Sequence, residues 1–380
     1  MPLPNEDILQ TIGGKKLALW HRGNGKDLDA AGYLGRYRGV LLSGLSRTKL
    51  FYLDTNYWVR LRDAELGYGT PEAVRFLQTL RAMVRAREIL CVSHFHSFLE
   101  IGKQEEASLR VTARLLDELT EGVVIASPAD LLAWECAEFI GAKLDLPLQH
   151  ELCAWAKVGQ IHKHELPSDM PGPVTKADRN VILKSVIDTQ WNTTFEHIFG
   201  QFEWETKSRL NASLEPEVLA QVEARKQKQA AIGLSREQTR LNEFSQAVDG
   251  ELRPIFASQL RNWHVQHEFP EGVGGLLRHL QVVLDAAVKN FKTGTLGRFL
   301  PSVSIRTKLY TLYEMDRKKG PFTNNDWVDW NHAAAALPYC DMFFTEKHLA
   351  HLLCKELRAD QQFGCEVIGT MEEAVRALMR

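Results

Sequence analysis

The chain has 380 residues, 44% of them hydrophobic and 25% charged, with a formal net charge of −2. These fractions are ordinary for a folded globular protein, which removes intrinsic disorder as the starting point, and the length accommodates two domains or one domain with a large insertion. The near-neutral balance excludes a bulk polycation while leaving room for a local basic groove.

Six cysteines, at 91, 136, 153, 340, 354 and 365, form no CxxC pair. They are too sparse for a disulfide framework and read as buried thiols in a reducing compartment. The opening Met1-Pro2-Leu3-Pro4-Asn5-Glu6-Asp7 lacks the charged and apolar regions of a signal peptide. No apolar run is long enough to span a bilayer, so the expectation is a cytoplasmic protein with no membrane partner.

Residues 1–48 read as an extension of unclear structure, with one or two helical turns over Glu6–Ile12 and glycines 13, 14, 23, 25, 32 and 35 marking turns. The Gly23–Gly25 stretch lacks the strand–helix setting of a phosphate loop. The first strand is predicted over 49–53, where Leu50 to Leu53 form a continuous apolar run ending on Asp54. Helices follow over 55–65 and from Pro71 to about 87, the second with Thr70 as cap and proline at its first position. Ile89–Val92 is a second strand. Ser93 is the expected cap of the next helix, which carries His94, His96 and Glu100. Residues 122–126 form a third strand and 129–144 a helix.

From 145 to about 305 the chain turns rich in Gln, Glu, Lys and Trp and has few strand-like runs. Helical spacing over 217–229, 238–246 and 276–291 predicts a mostly helical insertion. The strand–helix alternation returns near 324, with helices over 324–337, 348–357 and 371–379 and strands over 342–345 and 366–369. The fold class expected is α/β, a parallel sheet flanked by helices and interrupted by a helical block.

Acids recur where a sheet edge can gather them. Asp54 ends the first strand, and ligands of open α/β sheets bind outside the carboxyl ends of the strands. Glu100 follows the second strand on a helix, Asp329 lies early in the helix before the fourth strand, and Glu346 follows that strand. Clustered carboxylates raise one another's pKa unless a cation neutralises them. Oxygen-only ligation favours magnesium or manganese over zinc, and two such ions about 3.5–4 Å apart suit phosphodiester cleavage.

Phe51-Tyr52-Leu53-Asp54-Thr55-Asn56 resembles the opening of PIN-domain nucleases, an apolar run followed by Asp-Thr-Asn. Asp329-Trp330-Asn331-His332 with the alanines 333–336, then Phe343-Phe344-Thr345-Glu346, resembles their third segment, and Glu100 matches the family's helical acid. The resemblance covers roughly 49–145 and 324–380, leaving 1–48 as an N-terminal extension and 146–323 as the helical insertion. It implies a PIN-like fold and a magnesium- or manganese-dependent ribonuclease acting on nucleic acid, RNA favoured. Asp54, Glu100, Asp329 and Glu346 would be catalytic and metal-ligating, with Thr55, Asn56 and Thr345 supporting them. The fourth acid departs from the pattern: many members carry Asp one residue later, where this chain has Lys347, and that bears on the second metal more than the first.

Each acid taken singly has a plainer explanation: a helix cap for Asp54, solvation for Glu100, a favourable first-turn charge for Asp329. Their joint order favours the metal site. His94 and His96, two apart, do not share a helical face and read as surface or substrate-side residues. His162-Lys163-His164-Glu165 lacks a matching ligand pair for zinc, and Cys340 reads as core. Arg225, Lys226, Lys228, Arg236 and Arg240 read as a solvated face before a phosphate-tracking one. Arg306, Lys308 and Lys318, with Arg317 and Lys319, lead into the third acidic segment and are the preferred substrate contacts. Trp191, Trp204 and Trp263 read as buried aromatics before base-stacking ones. A DNA nuclease with the same site, and a catalytically silent scaffold binding nucleic acid or protein, remain the alternative readings. A homo-oligomer, a regulatory protein partner and a toxin–antitoxin or phage-defence setting are left open.

Overall fold

The computed structural model describes residues 17, 20–23, 28–146, 153–160, 175–201, 216–266 and 272–380. The expected helical turn over 6–12, Gly25, the 162–165 tetrapeptide and Trp204 lie outside the described residues.

The first departure from expectation is helix α1, Ala30–Leu45, in a stretch where glycines suggested turns. Asp29 caps it by accepting the Gly32 N–H at 2.8 Å, and Gly32 and Gly35 sit inside it. Tyr33 and Tyr37, one turn apart, supply the buried side that outweighs the glycine cost. Strand β1 (Lys49–Leu53) follows as expected, its last four residues buried, and runs through Asp54 into α2 (Thr55–Glu65). Helix α3 (Pro71–Arg85) begins at proline behind the Thr70 cap, and β2 (Ile89–Val92) is fully buried. The next helix breaks in two, α4 (Phe95–Ile101) and α5 (Glu106–Thr120).

The predicted third strand narrows to β3 (Val123–Ile125). Behind helix α6 (Pro128–Leu144), β3 acquires a partner absent from the sequence reading: β4 (Trp155–Lys157), antiparallel, with Val123 opposite Lys157. Three residues are too short to announce a strand by pattern. The region beyond is helical, with α7 (Lys176–Asn192), α8 (Phe195–Gly200), α9 (Pro216–Ile232), α10 (Arg236–Ala247), α11 (Arg253–Gln266), α12 (Gly272–Lys292) and α13 (Pro301–Met315). Then come α14 (Asn324–Ala336), β5 (Met342–Phe344), α15 (Lys347–His351), α16 (Ala359–Phe363), β6 (Glu366–Ile368) and α17 (Met371–Leu378).

β1 pairs with β2 in parallel, Lys49 opposite Ile89 through Tyr52 opposite Val92. β5 pairs with β6 in parallel, Met342 opposite Glu366. Each pair is parallel, so the chain is α/β with parallel strands flanked by helices.

The chain divides into two compact units. One takes the described residues within 1–126, 155–210 and 371–380, the other those within 127–154 and 211–370. In the first, Asp188 on α7 is fully buried and accepts from His21 Nε2 at 2.6 Å and from the hydroxyls of Tyr33 and Tyr37, each at 2.7 Å. In the second, Phe139 stacks on Phe256 and Phe244 on Phe291 within a core drawn from α6, α10, α11 and α12. No described helix is long and apolar enough to cross a membrane.

Candidate functional site

Asp54 is 5% exposed and stands where β1 ends. Its backbone is extended, and its Oδ1 accepts the N–H groups of Asn56 at 3.0 Å and Tyr57 at 3.3 Å. The carboxylate therefore satisfies orphan donors of the α2 N-terminus. Trp58, fully buried, ties the strand end down by donating Nε1–H to the Leu53 carbonyl at 3.0 Å. The Tyr57 hydroxyl has its pKa raised, first by burial and then by the negative charges of Asp54, Glu373 and Glu372, with Arg60 opposing.

Glu100 reaches the same place from α4. The Thr55 hydroxyl, in the residue after Asp54, donates to Glu100 Oε2. The structure thus brings Asp54, Thr55 and Glu100 together at the carboxyl end of β1, and Asn56 lies exposed beside them. Tyr52 and Ser97 share a hydrogen bond of 3.1 Å.

The histidines correct their sequence reading. His94 and His96 are buried at 1% and 2% exposure, not surface residues. His94, not Ser93, precedes the first turn of α4, and its side chain makes no capping bond. Because it lies outside the helix, the same-face rule does not separate the pair: their Nδ1 atoms stand 3.4 Å apart with rings tilted by 32°. Ser93 turns inward, and its carbonyl accepts the Ile125 N–H at 2.9 Å.

The other two acids belong to the second unit. Asp329 is half-buried on α14, one turn beyond Asp326, which forms the capping box with Thr323. Glu346 is exposed at the start of α15 and makes no capping bond. Between β5 and Glu346 lies Thr345, fully buried, whose N–H donates to the Ile368 carbonyl at 2.9 Å and whose hydroxyl has no partner among the described residues. Asp341 sits at the opposite end of β5, where its carbonyl accepts the Glu366 N–H.

The basic residues are differently placed. Arg306 is ion-paired to Glu251 at 2.6 Å. Lys308 donates to Gln362, and burial pushes its amine pKa down. Lys318 is exposed on the turn held by Asp316. The basic helical stretch is not a uniformly solvated face: Lys226 is buried, donating to the Lys319 carbonyl at 2.7 Å and lying over the Tyr313 ring. Trp263 and Cys340 are buried as expected, while Trp191 packs on Tyr37, half-buried.

The donor set of Asp54, Glu100 and Thr55 is all oxygen and suits a hydrated magnesium or manganese ion, which needs only one or two carboxylates alongside water and a substrate phosphate. Among the described residues no group of three or more His, Cys, Asp or Glu side chains stands ready to hold a metal ion. The sequence reading did not single out Tyr57, whose N–H donates to Asp54. No family model, curated protein or solved structure matches the chain.

Proposed function

We propose that the chain is a divalent-metal-dependent nuclease of PIN-like fold, with RNA the favoured substrate. In this reading residues 49–145 and 324–380 are the two parts of the PIN-like domain and 146–323 its helical insertion. The observation that carries it is the buried Asp54 at the carboxyl end of β1, with Glu100 tied to its neighbour Thr55. A buried carboxylate beside a second carboxylate is unfavourable unless a cation compensates them.

Asp54 and Glu100 would hold magnesium or manganese. The metal, once bound, supplies Lewis acidity toward the phosphate and lowers the pKa of its water. The chain's own residues do the positioning. The Asn56 and Tyr57 N–H groups fix one Asp54 oxygen. The Thr55 hydroxyl orients Glu100, and the Tyr57 and Trp58 side chains are buried in the same turn.

The test is cleavage of a labelled RNA pool, and of matched DNA, in manganese, in magnesium and in chelator, by the parent chain and Asp54→Asn. Metal-dependent cutting that Asp54→Asn abolishes is the expected result, with RNA cut in preference to DNA. Nucleic-acid binding without cleavage in either metal would overturn the proposal in favour of a silent scaffold.

A further inference from the structure

The second unit contains a pocket of about 660 Å³ that the acids at the strand ends do not touch. Its size falls in the range of about 300–1,000 Å³ typical of small-molecule sites. One wall is a stripe of α6 formed by Trp134, Glu138 and Ala142 at four-residue spacing. Tyr339 faces Trp134, their rings 5.8 Å apart and inclined at 61°. Phe299 lines the pocket while carrying the Lys143 ammonium 4.1 Å from its ring centroid. The segment leading into α13 contributes Gly294, at φ +75, where a Cβ would meet nothing within 4 Å, so the wall there is open.

Two charged residues of this lining are Glu138 and Arg298. Glu138 is half-buried and has no hydrogen-bond or ion-pair partner among the described residues, and desolvation pushes its carboxyl pKa up. Arg298 is exposed and equally without a partner among the described residues. The contrast within the pocket is direct. Glu135, one turn away, is saturated by Ser302 and Tyr339. A desolvated carboxylate without donors is costly, and a ligand that brings N–H groups removes the cost. A guanidinium without a carboxylate matches a phosphate in fork geometry. Aromatic side chains in the same lining select a flat heterocycle over an aliphatic zwitterion.

We infer that this pocket binds a nucleoside monophosphate unit, guanine favoured, with the ring against Trp134 and Tyr339, the base N–H edge on Glu138 and the phosphate on Arg298. Guanine is favoured because N1–H and the exocyclic amine present two adjacent donors to the two oxygens of one carboxylate. The unit can be a free nucleotide or one linked in RNA, since both present the same groups. None of the acids of the cleavage proposal is used, so failure of that proposal leaves the pocket standing.

The test is calorimetric titration of the full chain, and of Glu138→Gln and Arg298→Ala, with guanosine monophosphate, guanosine and uridine monophosphate. Both substituted side chains are partner-free among the described residues, so both variants should keep the parent's melting temperature. Guanosine monophosphate should bind with a Kd on the order of 10–100 μM, and more weakly by about tenfold to each variant. Arg298→Ala should leave guanosine binding unchanged, and uridine monophosphate should bind the parent less well than guanosine monophosphate does. Absence of binding at about 1 mM, or parent-like binding by both variants, would overturn the assignment. Competition by oligonucleotides with and without a single guanine then separates the sources. Displacement only by the guanine-containing strand identifies a chain-linked base; no displacement by either identifies the free nucleotide.

Discussion

Glu135→Gln tests how the second unit balances burial against hydrogen bonding. Glu135 is 1% exposed on α6. It stands in for the side-chain cap that α13 lacks: its oxygens accept the Ser302 N–H at 3.2 and 3.3 Å, the Ser302 hydroxyl at 2.7 Å and the Tyr339 hydroxyl at 2.6 Å. These donors and the Arg306 charge favour the carboxylate, but burial outweighs them and pushes its pKa up to about 7 from an ordinary 4.5. The sign follows. The unfolded chain gives up this proton near 4.5 and the folded one near 7, so Glu135 stabilises the fold fully below the lower value and loses that contribution as pH rises through the upper. The amplitude across the window is about 3 kcal/mol. Glutamine keeps an acceptor for Ser302 but does not titrate. Urea unfolding of both proteins at about pH 5 and about pH 8 should find the variant less stable in acid and gaining on the parent by roughly 2 kcal/mol on the alkaline side. Parallel pH profiles for the two proteins would refute the reasoning, because they would mean that Glu135 titrates alike in the folded and unfolded states.

Three further outcomes are expected. Asp54→Ala should destabilise the fold by about 1 kcal/mol through the lost cap of α2, whereas Asp54→Asn keeps an acceptor and should melt near the parent, as read by thermal denaturation. Asp188→Ala leaves His21, Tyr33 and Tyr37 without their common acceptor in a buried site and should cost about 3–5 kcal/mol in urea unfolding. Gly159→Ala would put a methyl group against the Gln190 carbonyl and 2.8 Å from Thr193 Cβ, and should cost about 1–3 kcal/mol by the same measurement.

The sequence by itself determined the local structure wherever local chemistry is strong. Asp54 and Thr70 announced helices that begin at the next residue. The apolar runs 50–53 and 89–92 became strands because such runs are stable only when covered on both faces. It also placed Asp54 at the end of the first strand and Glu100 on the helix after the second. What it could not carry is whatever depends on partners distant in sequence. Helix α1 is held by tyrosines reaching Asp188, 151 and 155 positions away. Strand β4 exists through its pairing with β3. His94 and His96 look like surface residues in a list of letters and are buried in the fold. Glu135 and Glu138 are equally acidic by composition; only the tertiary structure surrounds one with donors and leaves the other without them. Propensity and capping act over a few residues, and burial and hydrogen-bond satisfaction are decided by where the rest of the chain returns.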